Sequence, residues 1–305
     1  MPTFDRCLLA LVIGVFCVAG CSADLAADDD DSGDDGNGNG NGDGDGDGNG
    51  NGNGNGNGND ECSDEAKLVY VVDQNNQFST FDPATKTFHP IGTLDCPAEP
   101  GATPFSMGID RTPAAWVLYD SGELFKVNTA TVECTATNWQ SQLGLVQFGM
   151  GFSTDTAGGD TDSLFVVGGP EGLRDTATMA TVDLNTMTAT NVGTVEGNPE
   201  LTGTGSAELW GWFPDEDAPR VEHIDKATGA PVKTFPLSSL AGEPRAWAFA
   251  FWGGDFWIFL KRANEASTTV HQIDGATGEI KGNTPAPGRS IVGAGVSTCA
   301  PTVIF

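Results

Sequence analysis

The chain has 305 residues, with 42 Asp and Glu against 14 Lys and Arg, a formal charge of −28, and 42 glycines. Thirteen of those glycines lie between Gly33 and Gly58, so the rest of the chain is richer in core-forming residues than its overall composition suggests. So negative a chain repels a polyanion and offers few cations for phosphates, which excludes nucleic acid as a partner.

Residues 1–20 read as a targeting segment. Arg6 precedes an apolar run from Cys7 to Ala19, thirteen residues, where a bilayer-spanning helix needs about 20. The run ends in Val18-Ala19-Gly20-Cys21, a tetrad that resembles the bacterial lipobox. There, small residues precede the cut and the thiol that follows is acylated. Neither Cys7 nor Cys17 has small residues before it, so Cys21 is the expected lipidation site and membrane anchor. The resemblance implies an exported protein held at the cell envelope, and Ser22 points to the outer membrane by similarity to bacterial sorting rules. Buried methylenes contribute about 0.8 kcal/mol each, so several acyl chains hold firmly.

Residues 21–61 continue as Asp-rich and then alternating Gly-Asn and Gly-Asp sequence. From residue 24 to 61 there are twelve acids and no base. Such a segment buries no apolar area, so it is expected to stay disordered and to act as a tether of about 35 Å root-mean-square span. An EF-hand loop starting at Asp43 would need Glu at its twelfth position, where Gly54 stands, so no metal site is expected there.

Residues 62–305 carry an internal repeat. A small-X-small core inside an apolar strand recurs at Ser106-Met107-Gly108, Gly149-Met150-Gly151, Gly203-Thr204-Gly205, Ala248-Phe249-Ala250 and Gly293-Ala294-Gly295, with centres 43, 54, 45 and 45 residues apart. An Asx-x-x-Thr turn recurs at Asp82, Asn128, Asp183, Asp225 and Asp274, in steps of 46, 55, 42 and 49. Both registers lengthen at the third unit, as one repeat with one insertion requires. Between these marks lie short strands with turn punctuation, including Val69–Asp73, Gln77–Asp82, Leu209–Phe213 and Phe256–Lys261. Four strands per unit of this length predict an all-β, five-bladed propeller of four-stranded blades. The small residues suit innermost strands, where blades crowd toward the axis. Phe105, Met107 and Ile109 share one face of such a strand, and Ser106 and Gly108 share the other.

The first unit lacks an inner strand and the last inner strand, Val292–Val296, has no outer strands after it. Circular closure resolves both, with residues 291–297 completing the first blade and leaving no open edge. Export permits disulfides, and Cys62, Cys96, Cys134 and Cys299 allow three pairings. Closure favours Cys62–Cys299, which replaces the missing loop, and this leaves Cys96–Cys134.

Asp and Asn at the first position of the Thr turns form hairpins by bonding to the backbone two residues on, so these positions are read as turns, not as metal or sugar sites. Two of them, Ile224-Asp225-Lys226-Ala227-Thr228-Gly229 and Ile273-Asp274-Gly275-Ala276-Thr277-Gly278, resemble the turn of quinoprotein-like and related bacterial repeat propellers. With the lipobox, the tether and the paired cysteines, the whole chain is similar to uncharacterised propeller lipoproteins of myxobacterial type. The resemblance implies fold and location, without an activity or a quinone.

No HExxH, CxxC, GxSxG or phosphate loop occurs, so no catalytic residues, metal or cofactor are assigned. His89, His223 and His271 fall on outer strands. Asp110, Asp155 and Asp255 flank strand ends and are the only candidates for the axial carboxylates of a carbohydrate-active hydrolase or lactonase. Gln147, Glu200, Arg245 and Arg289 lie just before inner-strand centres and are expected to ring one mouth of the axis, among loops where binding usually resides. Trp212 and Trp252, the latter beside Asp255, sit near turns and are read as exposed platforms for a sugar ring. The expected function is a lipid-anchored binding module for a protein or glycan. The alternatives are the hydrolase and a passive envelope component.

Overall fold

The structure, a computed structural model, describes residues 62–172 and 175–303. The targeting segment, Cys21 and the tether lie outside the described residues. The first three strands are β1 (Val69–Asp73), β2 (Gln77–Asp82) and β3 (Thr87–Thr93). A second group follows: β4 (Pro104–Ile109), β5 (Ala114–Tyr119), β6 (Leu124–Asn128) and β7 (Cys134–Ala136). A third is β8 (Gln147–Thr154), β9 (Asp162–Gly169), β10 (Thr176–Asp183) and β11 (Thr188–Glu196). A fourth is β12 (Glu200–Gly203), β13 (Leu209–Phe213), β14 (Arg220–Ile224) and β15 (Pro231–Pro236). The last is β16 (Pro244–Trp252), β17 (Asp255–Arg262), β18 (Thr269–Asp274) and β19 (Ile280–Pro285), with β20 (Ile291–Gly295) at the C-terminal end. Besides these strands, the described residues hold two single-turn 3-10 helices, Glu65–Lys67 and Ser238–Leu240.

The strands form five antiparallel four-stranded blades, and the first has the order β20-β1-β2-β3. Closure is as expected: Tyr70 pairs with Gly295, Val71 with Ala294 and Val72 with Gly293. Both expected disulfides form, Cys62–Cys299 and Cys96–Cys134. The first joins the two ends of the ring. The second ties the connection out of the first blade to the outermost strand of the second.

All five Thr turns form. The Asp225 carboxylate accepts the amides of Ala227 and Thr228, both at 2.9 Å, and Asp274 accepts those of Ala276 and Thr277 at 3.0 and 2.8 Å. Each turn closes through a residue of positive φ, Gly229 and Gly278 in the last two blades but Lys86, Val132 and Met187 in the first three. The side-chain bonds of the Asx residue therefore hold the turn even where glycine is absent.

Apolar faces of neighbouring blades meet to form the core. At the seam between the fifth and first blades, the Phe81 ring lies 5.3 Å from that of Trp257 and 5.4 Å from that of Phe259, both edge-on. Second strands are buried on both faces: β13, residues Leu209 to Phe213, is buried throughout. Toward the axis the blades touch through backbone. A Cβ on Gly149 would strike the Pro199 carbonyl and lie 2.8 Å from the Glu200 Cα, and one on Gly151 would lie 2.9 Å from the Leu201 carbonyl carbon. Gly293 and Gly295 meet the Met107 and Ile109 amides in the same way, at 3.1 Å each.

One inner strand departs from expectation. In the fourth blade the strand is Glu200–Gly203 and ends before the expected centre at Thr204. The Thr204 carbonyl accepts the Thr154 amide from the neighbouring blade, and the Thr204 amide donates to the Glu208 carbonyl, so Thr204 and Gly205 begin the turn to the next strand.

Two outcomes test this architecture. Replacing Cys62 and Cys299 together by Ser is expected to lower stability by about 2–5 kcal/mol in urea unfolding, with the fold retained. Gly149→Ala is expected to destabilise by about 1–3 kcal/mol through overpacking, whereas Gly101→Ala, whose Cβ would meet nothing within 4 Å, should show only the smaller penalty of its positive φ.

Candidate functional site

The five inner strands, β4, β8, β12, β16 and β20, contact one another in a ring around the axis. Near the end where the chain enters them, the Ser106 hydroxyl of the second blade donates to Glu200 Oε2 of the fourth at 2.8 Å, reaching past the third blade. At the exit end, Asp162 of the third blade accepts the Arg111 Nε of the second at 3.1 Å and the Thr298 hydroxyl beyond β20 at 2.7 Å. Arg111 also donates to the Gly159 carbonyl at 2.7 Å, and the Gly158 amide to the Gly205 carbonyl at 2.8 Å. This lattice of bonds across several blades stoppers the exit.

The entrance end instead holds a partly enclosed cleft of about 120 Å³. Phe105, Phe148, Val167 and Trp247 give it apolar walls; Gln147, Asn198 and Glu200 supply the polar groups. Four blades contribute, each through residues at or just before the start of its inner strand or in the strand beside it. Gln147 is held in place from both ends: its Nε2 donates to the Asp120 carbonyl and its Oε1 accepts the Gly172 amide, each at 3.2 Å.

Glu200 forms the floor. It is 2% exposed, and burial holds its carboxyl well above the ordinary glutamate range, only partly offset by the Ser106 hydroxyl and the Met150 amide that donate to it. Among the described residues no Lys or Arg pairs with it. Beside the cleft, and sharing Asn198 with it, lies a wider groove of about 590 Å³. Asp175, Glu196, Asp215, Glu216, Glu222 and Glu243 line that groove, and Arg220, the one cation among its described lining residues, is ion-paired to Glu222 at 2.7 Å.

The structure brings together Gln147 and Glu200 of the residues expected at this mouth. Arg245 is exposed and paired to Glu243 at 2.7 Å. Arg289 instead bridges the seam of the fifth and first blades, donating to the Ser79 hydroxyl at 3.2 Å and lying 4.9 Å from the Phe88 ring centre. Neither lines the cleft.

The exposed-tryptophan expectation is corrected at both positions. Trp212 is fully buried, because it belongs to a second strand covered by sheets on both sides. Trp252 is half-buried and the edge of its indole donates to the Lys67 carbonyl at the end of the first 3-10 turn, at 2.8 Å. Asp255, 6% exposed, accepts Gln272 at 2.7 Å and pairs with Lys281 at 2.6 Å. Asp110 is consumed by its own loop, accepting the Thr112 and Ala114 amides and the Trp116 indole, and Asp155 accepts the Ser163 hydroxyl at 2.7 Å. The three aspartates each serve their own blade and form no shared axial set. His271 proves buried, which pushes its pKa down to about 4. Among the described residues no group of three or more His, Cys, Asp or Glu is placed to hold a metal ion.

Sequence reasoning placed Phe105 on one face of an inner strand and assigned neither it nor Trp247 to the mouth, so their place on the cleft wall was missed. Their position before the small-X-small cores, at the mouth side of the inner strands, was the available signal.

No family model matches the chain, and no curated protein matches it. Among solved structures it is similar to a chain of a nidogen/laminin complex (TM-score 0.46, 15% identity, 80% of this chain and 84% of that one). It is also similar to a luciferin-regenerating enzyme (0.44, 12%, 76% and 76%) and to the Dos1 propeller (0.40, 12%, 73% and 57%).

Glu200→Gln tests the floor of the cleft. A carboxyl whose folded pKa is raised contributes stability that is complete below its unfolded value and lost as pH rises through the folded one. The Gln variant keeps the acceptor for Ser106 but cannot ionise. At pH values above the folded titration of Glu200 it is expected to be more stable than the wild type, with the difference vanishing in acid, read by urea unfolding across pH.

Proposed function

We propose that this protein is a lipid-anchored component of the cell envelope whose propeller is a binding module, with its ligand seated at the entrance end of the axis. The observation that carries this reading is the cleft itself: a small, largely apolar, partly enclosed space with a few converging polar groups, at the end of the axis that is not stoppered. The Cys21 anchor and the tether from residue 21 to 61 are inferred from sequence, and they would hold the module near a membrane while leaving it free to turn.

The placement of the aspartates favours binding over hydrolysis. A glycosidase needs two carboxyl groups facing one another across a substrate, and Asp110, Asp155 and Asp255 are each tied up by neighbours in their own blade. The burial of Trp212 removes one of the two expected sugar platforms, which favours a protein ligand over a glycan.

The test combines anchor and cleft. In a bacterial host, the full chain is expected to incorporate labelled fatty acid and to partition into detergent, and Cys21→Ser to do neither. A ligand cross-linked to the anchored wild type is expected to be recovered about tenfold less with Trp247→Ala, and undiminished with Glu279→Ala in the turn before β19. Recovery insensitive to Trp247 would overturn the cleft as the seat of binding.

A further inference from the structure

Glu200 is the least explained group in the molecule. A buried carboxyl without a counter-charge destabilises a fold, and this one sits where the blades could have met through an apolar residue. Its own partners, a hydroxyl and a backbone amide, are neutral donors that favour the anion. Burial outweighs them and holds the carboxyl well above the ordinary glutamate range, and among the described residues no Lys or Arg stands by to balance the anion.

The walls have the complementary property. Phe105, Phe148 and Trp247 place aromatic rings around the same space, and the faces of such rings attract cations. None of the other residues lining the cleft titrates, whether from β4, β8, β9, β16 or the loop into β12. The adjoining groove carries Asp175, Glu196, Asp215 and Glu216 in addition to Glu222 and Glu243, which are ion-paired to Arg220 and Arg245. Potential, ring faces and the buried acid all select for one sign of charge.

We propose that the cleft is a recognition site for an alkylammonium group, inserted past Trp247 and Phe105 so that its charge reaches Glu200. This rests on the binding reading above and specifies its chemistry. The space of about 120 Å³ suits a primary ammonium on a short aliphatic stem. The guest is a free small amine or the side chain of a lysine on a partner. Binding would draw Glu200 to its anionic form and release its proton to solvent, forming an ion pair shielded from water; no covalent step is involved.

The experiment titrates the purified full-length chain in non-ionic detergent with n-butylammonium and, as a neutral isostere, 1-butanol, following heat and the part of the tryptophan fluorescence change that Trp247→Phe removes. The ammonium is expected to bind with a dissociation constant of about 1 mM, a reasonable ceiling for so few atoms, and the alcohol about tenfold more weakly. Because binding releases a proton, affinity for the ammonium in the wild type should rise with pH, by up to about tenfold for each pH unit below the titration of Glu200. Glu200→Gln should abolish both the preference and the pH dependence. The wild-type pH series stands even if that variant misfolds. A short lysine peptide and its acetylated form distinguish the sources. Tighter binding of the unmodified peptide than of butylammonium identifies a protein lysine as the guest, and equal or weaker binding identifies a small amine.

Equal affinity for alcohol and ammonium would overturn the cation site while leaving the cleft a binding site. Affinity independent of pH, or no binding of either probe, would overturn it as well. In those cases loss of the cross-linked ligand on Trp247→Ala still decides the broader reading separately.

Discussion

The constraint on which the structure depends is space at the axis. Five inner strands converge until their backbones touch, and only residues without a side chain, or with a very small one, can stand at the contacts. Gly149 and Gly151 against Pro199 to Thr202, and Gly293 and Gly295 against Met107 to Ile109, are the same solution at two seams. Bulky residues are displaced to the opposite face of each strand, where Phe148, Met150 and Phe152 fill the space between blades. The alternation of strand side chains thus allocates one face to close approach and the other to the apolar core.

This crowding also explains why the two ends of the axis differ. Near the exit, inner strands are followed by polar turns that can reach one another, and Arg111, Asp162, Thr298 and the Gly158–Gly205 contact knit four blades together. At the entrance, the fourth blade has a short inner strand of four residues beginning at Glu200. Its predecessor, Pro199, has no amide to donate and turns the chain inward. Phe105, Phe148 and Trp247 of the other blades wall the space beside it. The first residue of this short strand, Glu200, is a polar member of that lining.

Most of the fold was legible in the sequence because it is set by local and periodic signals. The Asx-x-x-Thr turns read by their own side-chain chemistry, and the orphan strands at the two ends imposed closure and thereby the cysteine pairing. The site was legible only in part. Gln147 and Glu200 were located from their offset to the inner strands, but the same offset nominated Arg245 and Arg289, whose long side chains can leave the mouth and do. Trp212 was misread because nearness to an acidic turn suggests exposure, whereas a propeller's second strand is sheathed on both faces to its last residue. What sequence offset cannot convey is which side of the strand faces the axis and which blade stands opposite. The bond from Ser106 to Glu200, across 94 positions, depends on both.

Glu200 and the surface aspartates pull stability in opposite directions with pH, and the contrast separates structure from function. Asp82, Asp183, Asp225 and Asp274 have carboxyls held below the usual range by turn amides and hydroxyls and, for Asp274, first of all by Lys281. Such groups contribute stability above their unfolded values and lose it as pH falls. They titrate as parts of hairpins that the fold needs five times over. Glu200 titrates the other way and serves no hairpin. An acid that weakens the fold when ionised, placed in the lining of a cleft at the entrance end of the axis, is the arrangement expected of a group kept for what it meets there.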